Sequence, residues 1–279
     1  MAEFTKTSFY KFLEGKSRVV VLTGAGISAG AGIPTYRDQQ GNWQRSDPIQ
    51  HQDFLRQHTS RQRYWLRSYI GWPAVAKASP CLSHRALAEL ESSGPVNLIV
   101  TQNVDRLHQK AGANAVIDLH GRLDRVICLS CKKLYARSAI QEKLKTLNPF
   151  LETLNQEADI APDGDANIET AWVSEMTTPR CEHCDGDLKP DVVFFGDNVP
   201  KSIVQSIYRT LDDADGFLIV GTSLKVFSGF RFCRYAFERH LDIASINPGV
   251  TRGDNLIATH IHSGADEVLA DYLSARSTA

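Results

Sequence analysis

Residues 18–30 read RVVVLTGAGISAG, an apolar, β-branched run that breaks after Thr23 into glycines and small side chains. Unbroken apolar character over this length, without polar alternation, is the pattern of a strand buried on both faces, and such strands belong to parallel sheets covered by helices. Three more runs repeat it: NLIVTQNVD from Asn97, GFLIVGTSL from Gly216 and IASINPG from Ile243, each ending in small or polar residues. Helical patterns fill the intervals, as in HRALAELESS from His84 and KSIVQSIYRTLDDA from Lys201. This alternation predicts an α/β fold, a Rossmann-like doubly wound parallel sheet. Ligands bind such sheets in the crevice beyond the carboxyl ends of the strands.

Two stretches interrupt the alternation. Residues about 41–79 carry Trp43, Tyr64, Trp65, Tyr69 and Trp72 at helical spacing among arginines and read as a helical insert. Residues about 123–188 begin and end with Cys-x-x-Cys pairs, Cys128/Cys131 and Cys181/Cys184, around the turn-rich APDGDAN from Ala161. Two such knuckles point to one tetrahedral zinc held by four thiolates, closed to water and therefore structural. A metal-stapled insert of this size cannot build a core unaided. The Rossmann-like part is left with residues about 1–40, 80–122 and 189–279. Cys81 and Cys233 stand alone and read as buried small hydrophobes.

In the first loop, Gly24, Gly26 and Ala29 fit the Gly-x-Gly-x-x-Gly/Ala pattern that lets backbone N–H groups approach a pyrophosphate at a helix N-terminus. By itself this leaves two readings, a phosphate cradle and a tight strand-to-helix turn. No second strand ends in an acidic residue about 20 positions later, as a dinucleotide dehydrogenase requires; the polar run Tyr36-Arg37-Asp38-Gln39 follows instead. Beyond the second strand lie Gln102, Asn103 and Asp105, and then His120. Amides and carboxylates at a strand end can hold a carboxamide and ribose hydroxyls, and a histidine there can take a proton. The other histidines, His84 and His108 among them, have no such context and read as surface or capping residues.

Composition narrows the function classes. In 279 residues, 42% are hydrophobic and 23% charged, which excludes disorder and fibrous structure. Lys+Arg (31) balance Asp+Glu (32) at a net charge of −1, so no overall field recruits nucleic acid or an acidic membrane. No run of about 18 apolar residues offers a membrane span. The first residues contain Glu3 and Glu14 and lack both a secretory core and an arginine-rich transit bias, so a cytoplasmic location is expected, although a processed matrix protein reads identically. A monomer is expected.

Taken together, TGAGIS at Thr23, GIPTYRD at Gly32, TQNVDRLH at Thr101, LHG at Leu119, the two cysteine knuckles, PDVVFFGD at Pro190, GTSLKV at Gly221 and SINPG at Ser245 resemble the sirtuins, NAD-dependent protein deacylases. PIQHQDF at Pro48, RQRYW at Arg61, GWP at Gly71, LNP at Leu147 and APDGD at Ala161 are most similar to the class II branch, which includes a mitochondrial sirtuin associated with lipoamide and acidic-acyl removal. The resemblance implies transfer of an acyl group from lysine to ADP-ribose with release of nicotinamide, and an acylated protein or peptide as partner.

It also implies roles. His120 matches the catalytic histidine, a base on the ribose hydroxyls, and Asn103, with Asp105 and Gln102, the groups that hold the ribose and the nicotinamide carboxamide. Ala25, Ile33, Arg37 and Asp38, with Tyr36 beside them, match the nicotinamide side; Gly24 and Gly26 belong to the phosphate loop. Gly221, Thr222, Ser223 and Asn247 match contacts to the phosphates and adenosine, and Phe194, Phe195 and Gly196 the segment against which the acyl-lysine peptide lies as an added strand. Asp197 and Tyr36 stand where many sirtuins have Glu and Phe. Tyr64 and Arg67 have the Tyr-x-x-Arg spacing of acidic-acyl readers, which predicts a preference for acidic or long acyl groups. The competing expectations are mono-ADP-ribosyl transfer to protein and noncatalytic sensing of NAD or ADP-ribose.

Overall fold

The computed structural model describes residues 2–38, 40–44, 48–154, 161–164 and 172–276; Gln39 and the Asp165, Ala166 and Asn167 of APDGDAN lie outside them. Its strands are β1 (Val19–Thr23), β2 (Val96–Thr101), β3 (Val116–Asp118), β4 (Gly121–Cys128), β5 (Leu134–Ala136), β6 (Leu188–Val192), β7 (Gly216–Val220), β8 (Asp242–Ile246) and β9 (Thr259–Ile261). The helices are α1 (Ala2–Leu13), α2 (His51–Arg56), α3 (His58–Lys77), α4 (Leu82–Ser93), α5 (Leu107–Lys110), α6 (Arg137–Leu147), α7 (Lys201–Asp212), α8 (Phe227–Glu238) and α9 (Ala265–Arg276).

Six strands form one parallel sheet in the order β3-β2-β1-β7-β8-β9. Because successive side chains on a strand point to opposite faces, β1 serves two cores at once. Val19 and Val21 pack with Phe9 and Phe12 of α1, Leu87 and Leu90 of α4, and Val268 and Leu269 of α9. Val20 and Leu22 pack with Val204, Ile207 and Leu211 of α7 and Phe232 and Ala236 of α8. Each of these valine, leucine, isoleucine and phenylalanine side chains contributes roughly 1.5–3 kcal/mol by its removal from water. The strand order reverses between β1 and β7, and a crevice forms at such a reversal because the connections leave to opposite faces. The three-residue edge strands β3 and β9 escape the sequence pattern because they are too short to carry a period.

The two interruptions fold together. Phe54, Trp65 and Leu66 from α2 and α3 share a core with Val126, Cys128, Ile140, Leu144, Cys181 and Leu188 around the antiparallel sheet β5-β4-β6. What looked like a helical insert and a separate zinc insert thus has one interior. Pro73 sits inside α3 and has no N–H for the carbonyl of Tyr69, four residues back. Gln141 Nε2 of α6 donates to that carbonyl at 2.8 Å. The fully buried Arg137 donates to Ser68 O and Oγ, both at 3.1 Å, between the rings of Trp65 and Trp72. Among the described residues no helix is long and apolar enough to cross a membrane.

Candidate active site

The crevice at the β1–β7 reversal is closed by two glycine loops in contact. Gly26 N donates to Gly221 O at 2.8 Å, and Gly221 has a left-handed φ of +61°. A Cβ on Gly221 would lie 2.4 Å from Ile27 N, and one on Gly24 would lie 2.6 Å from Thr222 Cβ. Side chains are therefore excluded here by the loop packing itself. The turn that follows β1, Ala25–Ala31, is a 3-10 helix.

Beneath that turn is a buried polar pocket. Ser28 Oγ donates to Asp105 Oδ2 at 2.7 Å and accepts from Asn103 Nδ2 at 3.0 Å. Asn103 Nδ2 also reaches Gly24 O at 3.1 Å, and Asp105 Oδ1 accepts from Leu107 N at 2.9 Å. Both polar side chains are thus held by fixed partners, and Asn103 keeps its amide oxygen for other use. Gln102 bridges the sheet, donating from Nε2 to Thr222 Oγ1 at 2.9 Å and to Thr23 O at 3.2 Å. Ile33 packs with Val75, Val104 and Leu107 and lines a cavity of about 250 Å³ with Pro34 and Ala161.

His120 follows β3. Its Nδ1 lies 2.9 Å from Gln102 O and its Nε2 2.7 Å from Ser228 Oγ. A carbonyl only accepts, so Nδ1 carries the proton and Nε2 presents its lone pair. Burial, partly opposed by the Gln102 carbonyl, pushes the imidazole down to about 4. The ring is therefore neutral at pH 7, as a base must be before it acts.

Two readings of the histidines need correction. His84 and His108 are neither surface nor capping residues but fully buried. His108 Nε2 lies 2.9 Å from Thr23 Oγ1; His84 touches Ser28 Oγ at 3.4 Å through Nε2 and Cys81 Sγ at 3.0 Å through Nδ1. Desolvation lowers both, His108 well below the ordinary histidine value. The histidines of α4 and α5 look exposed in sequence because the partners that bury them, Ser28 for His84 and Thr23 for His108, lie more than 50 residues away. Cys233 is a buried hydrophobe as expected, whereas Cys81 also donates to Ile27 O at 3.2 Å. Ser28 and Ser228 were not singled out, and only the quoted motif around Ser28 carried a signal for either.

The remaining candidates flank the crevice. Arg37 donates to Gly41 O at 2.9 Å and lies over Trp43, on which Tyr36 also stacks at 5.2 Å, while Asp38 accepts from Asn42 N at 2.8 Å. Ser223 O accepts from Arg252 N at 2.9 Å, and Asn247 Nδ2 donates to Gly249 O at 2.7 Å. Phe195 meets Trp43 edge-on and pairs on one side with Gln50, its carbonyl accepting from His51 N at 2.8 Å. Gly196 takes φ +79° in the turn that follows. Phe194 turns inward onto Phe54 and Tyr64, so Tyr64 lies behind this segment, with the half-buried Arg67 three residues further along α3.

The sulfur atoms of Cys128, Cys131, Cys181 and Cys184 all lie within 4.8 Å of one another, with Cys128–Cys184 at 3.5 Å and Cys131–Cys181 at 3.7 Å. A tetrahedral zinc with bonds of about 2.3 Å requires sulfurs about 3.8 Å apart, so the four thiolates fit that ion.

The Sir2 family model matches residues 24–228, from Gly24 of the first glycine loop to the serine beside His120. The chain belongs to the Sir2 family. It is 47% identical to the NAD-dependent protein deacetylase 2 of Bradyrhizobium diazoefficiens, over 96% of this chain and 98% of that one. It is 44% identical to the human mitochondrial NAD-dependent protein lipoamidase sirtuin-4, over 93% and 83%. A solved structure described as Sir2 with a p53 peptide and NAD+ matches with a TM-score of 0.77 at 25% identity, covering 97% of this chain and 98% of that one. Another, on the mechanism and regulation of Sir2 enzymes, matches with a TM-score of 0.75 at 28% identity, covering 100% and 99%. The sirtuin fold is thus that of this chain, and Ser28, Asn103, Asp105 and the four cysteines all lie within the span that the family model matches.

Proposed function

We infer that this Sir2-family chain is an NAD-dependent protein-lysine deacylase that transfers the acyl group to ADP-ribose and releases nicotinamide. The observation that carries the reading is the neutral His120, with Nδ1 as donor and Nε2 as acceptor, at the same crevice as the Ser28–Asn103–Asp105 pocket. NAD, when bound, supplies an electrophilic ribose carbon with nicotinamide as leaving group. The task of the chain is to position, exclude water and manage protons. Asn103 and Asp105, fixed through Ser28, hold the carboxamide and ribose; the loops of Gly26 and Gly221 take the phosphates; Thr222, Ser223 and Asn247 take the adenosine side. His120 removes a ribose hydroxyl proton onto Nε2 while Gln102 O fixes Nδ1–H. The zinc held by the four cysteines has no open position and stabilises the small domain.

An acylated protein or peptide is the substrate, pairing with the Phe194–Gly196 segment as an added strand. We further propose that acidic or long acyl groups are preferred, read by Tyr64 and Arg67. The packing of Tyr64 on Phe194 supports this, since it places α3 directly behind the peptide segment. Nicotinamide release from NAD, measured with acetyl-, succinyl-, glutaryl- and lipoyl-lysine peptides for wild type, His120→Tyr and Arg67→Met, tests both claims. Acyl-dependent release that ends in His120→Tyr is expected. Acyl-independent release points instead to ADP-ribosyl transfer, and an unchanged order of preference in Arg67→Met removes Arg67 from the account.

A further inference from the structure

His120 is held at both ring nitrogens, and only one contact comes from the strand that carries the pocket. The second is Ser228, in the first turn of α8, whose Oγ lies 2.7 Å from Nε2. With Nδ1–H committed to Gln102 O, the Ser228 hydroxyl must be the donor and Nε2 the acceptor. One hydrogen bond leaves an imidazole free to pivot about its own axis; two from opposite edges do not.

A hydroxyl at this position can also serve both states of the base. It donates to the neutral ring, and once Nε2 has gained a proton the same oxygen can turn and accept from Nε2–H. An imidazolium in a desolvated site otherwise stands without a partner on that side, and burial is the main force keeping this ring neutral. The ionisable groups on the surrounding elements are engaged elsewhere: Asp105 with Ser28, Asp118 with Arg106 and Gln109, Arg122 with Asp124, and Arg231 over the Phe227 ring.

We propose that Ser228 is a positioning residue for the acyl-transfer step, fixing the His120 ring and accepting from its protonated form as the ribose hydroxyl gives up its proton. In that step the Ser228 O–H turns away from Nε2, the ribose O–H bond breaks with its proton passing to Nε2, the ribose oxygen's electron pair forms the new bond to the acyl carbon, and the π pair between that carbon and the lysine nitrogen moves onto the nitrogen. This rests on the deacylase reading and names a residue that acts through its base.

Ser228→Ala and Ser228→Thr separate this role from a merely structural one. Loss of one hydrogen bond to the base predicts a fall in kcat for acyl transfer of about three- to tenfold in Ser228→Ala. KM for NAD and the rate of labelled-nicotinamide exchange, which precedes the base step, stay at wild-type values, and Ser228→Thr, which keeps the hydroxyl, retains turnover. Unchanged kcat in Ser228→Ala overturns the proposal, as does a parallel fall in exchange and turnover, which would mean a deformed crevice. Nitrogen-15 NMR of the His120 imidazole gives a readout independent of activity. A shifted Nε2 resonance in Ser228→Ala is expected, and an identical resonance refutes the contact. Absence of acyl-dependent exchange in the wild type would fault the deacylase reading while leaving the NMR test of Ser228 standing.

Discussion

Replacing Ser28 with Ala removes one oxygen from the middle of the pocket. The hydroxyl is fully buried and makes a charge-assisted bond to Asp105 and a neutral one to Asn103. A bond to a charged group contributes roughly 1.5–3 kcal/mol and a neutral one roughly 0.5–1.5 kcal/mol. Asp105 keeps Leu107 N and Asn103 keeps Gly24 O, so neither is left wholly without a partner. A net stability loss of about 2–3 kcal/mol is expected, near the low end of the summed ranges. At about 2–4 °C per kcal/mol for a chain of this size class, Tm falls by roughly 4–12 °C. The functional effect is larger than a stability loss alone would give, because both groups lose the contact that aims them. Labelled-nicotinamide exchange at saturating NAD and acyl-peptide is expected to drop about 10- to 100-fold, equivalent to roughly 1.4–2.8 kcal/mol of barrier. NAD affinity changes less, since the loops around Gly221 and Asn247 do not use Ser28. Exchange kinetics and thermal unfolding on the same preparation decide the matter. Exchange within twofold of wild type, with Tm lowered as stated, would refute the view that Ser28 organises the pocket and leave it a packing residue.

Stability should fall between about pH 6.5 and 4, because the unfolded chain protonates His84, His108 and His120 where the native state, with all three lowered by burial, does not. Each contributes a slope of up to about 1.4 kcal/mol per pH unit, so urea unfolding of His108→Gln should show a shallower pH dependence than wild type; an identical slope sinks the assignment. Stripping zinc with a strong chelator removes on the order of 10 kcal/mol from the small domain. Near-ultraviolet circular dichroism from Trp65 should collapse together with peptide turnover, whereas a retained spectrum would show that the core stands without the metal. Gln141→Ala orphans the Tyr69 carbonyl and costs about 1–2 kcal/mol. In a Pro73→Ala background the restored N–H takes that carbonyl, so the cost should shrink, and a double-mutant cycle by urea unfolding with no coupling contradicts the capping.

The strands that carry the crevice were readable because each is a continuous apolar run ended by functional residues. Glycines, amides and His120 therefore announced themselves at strand ends. The cysteines were readable because metal ligands keep local spacing. His84 and His108 were misread for the opposite reason, since a histidine in a helical pattern looks the same whether it faces water or Ser28. Ser228 lies 108 residues from His120, and no local pattern links them.

Sequence alone therefore determined the parallel α/β class, the glycine loop, the four cysteines with metal-ligand spacing and the presence of a histidine beyond the second strand, all of which depend on composition and spacing within short windows. Tertiary structure alone decided that the two interruptions share one core, that Gly26 and Gly221 must lack side chains because they touch, and that His120 is neutral and held from both sides. Those facts depend on contacts between distant segments and on exclusion of water, and both arise only when the chain has closed on itself.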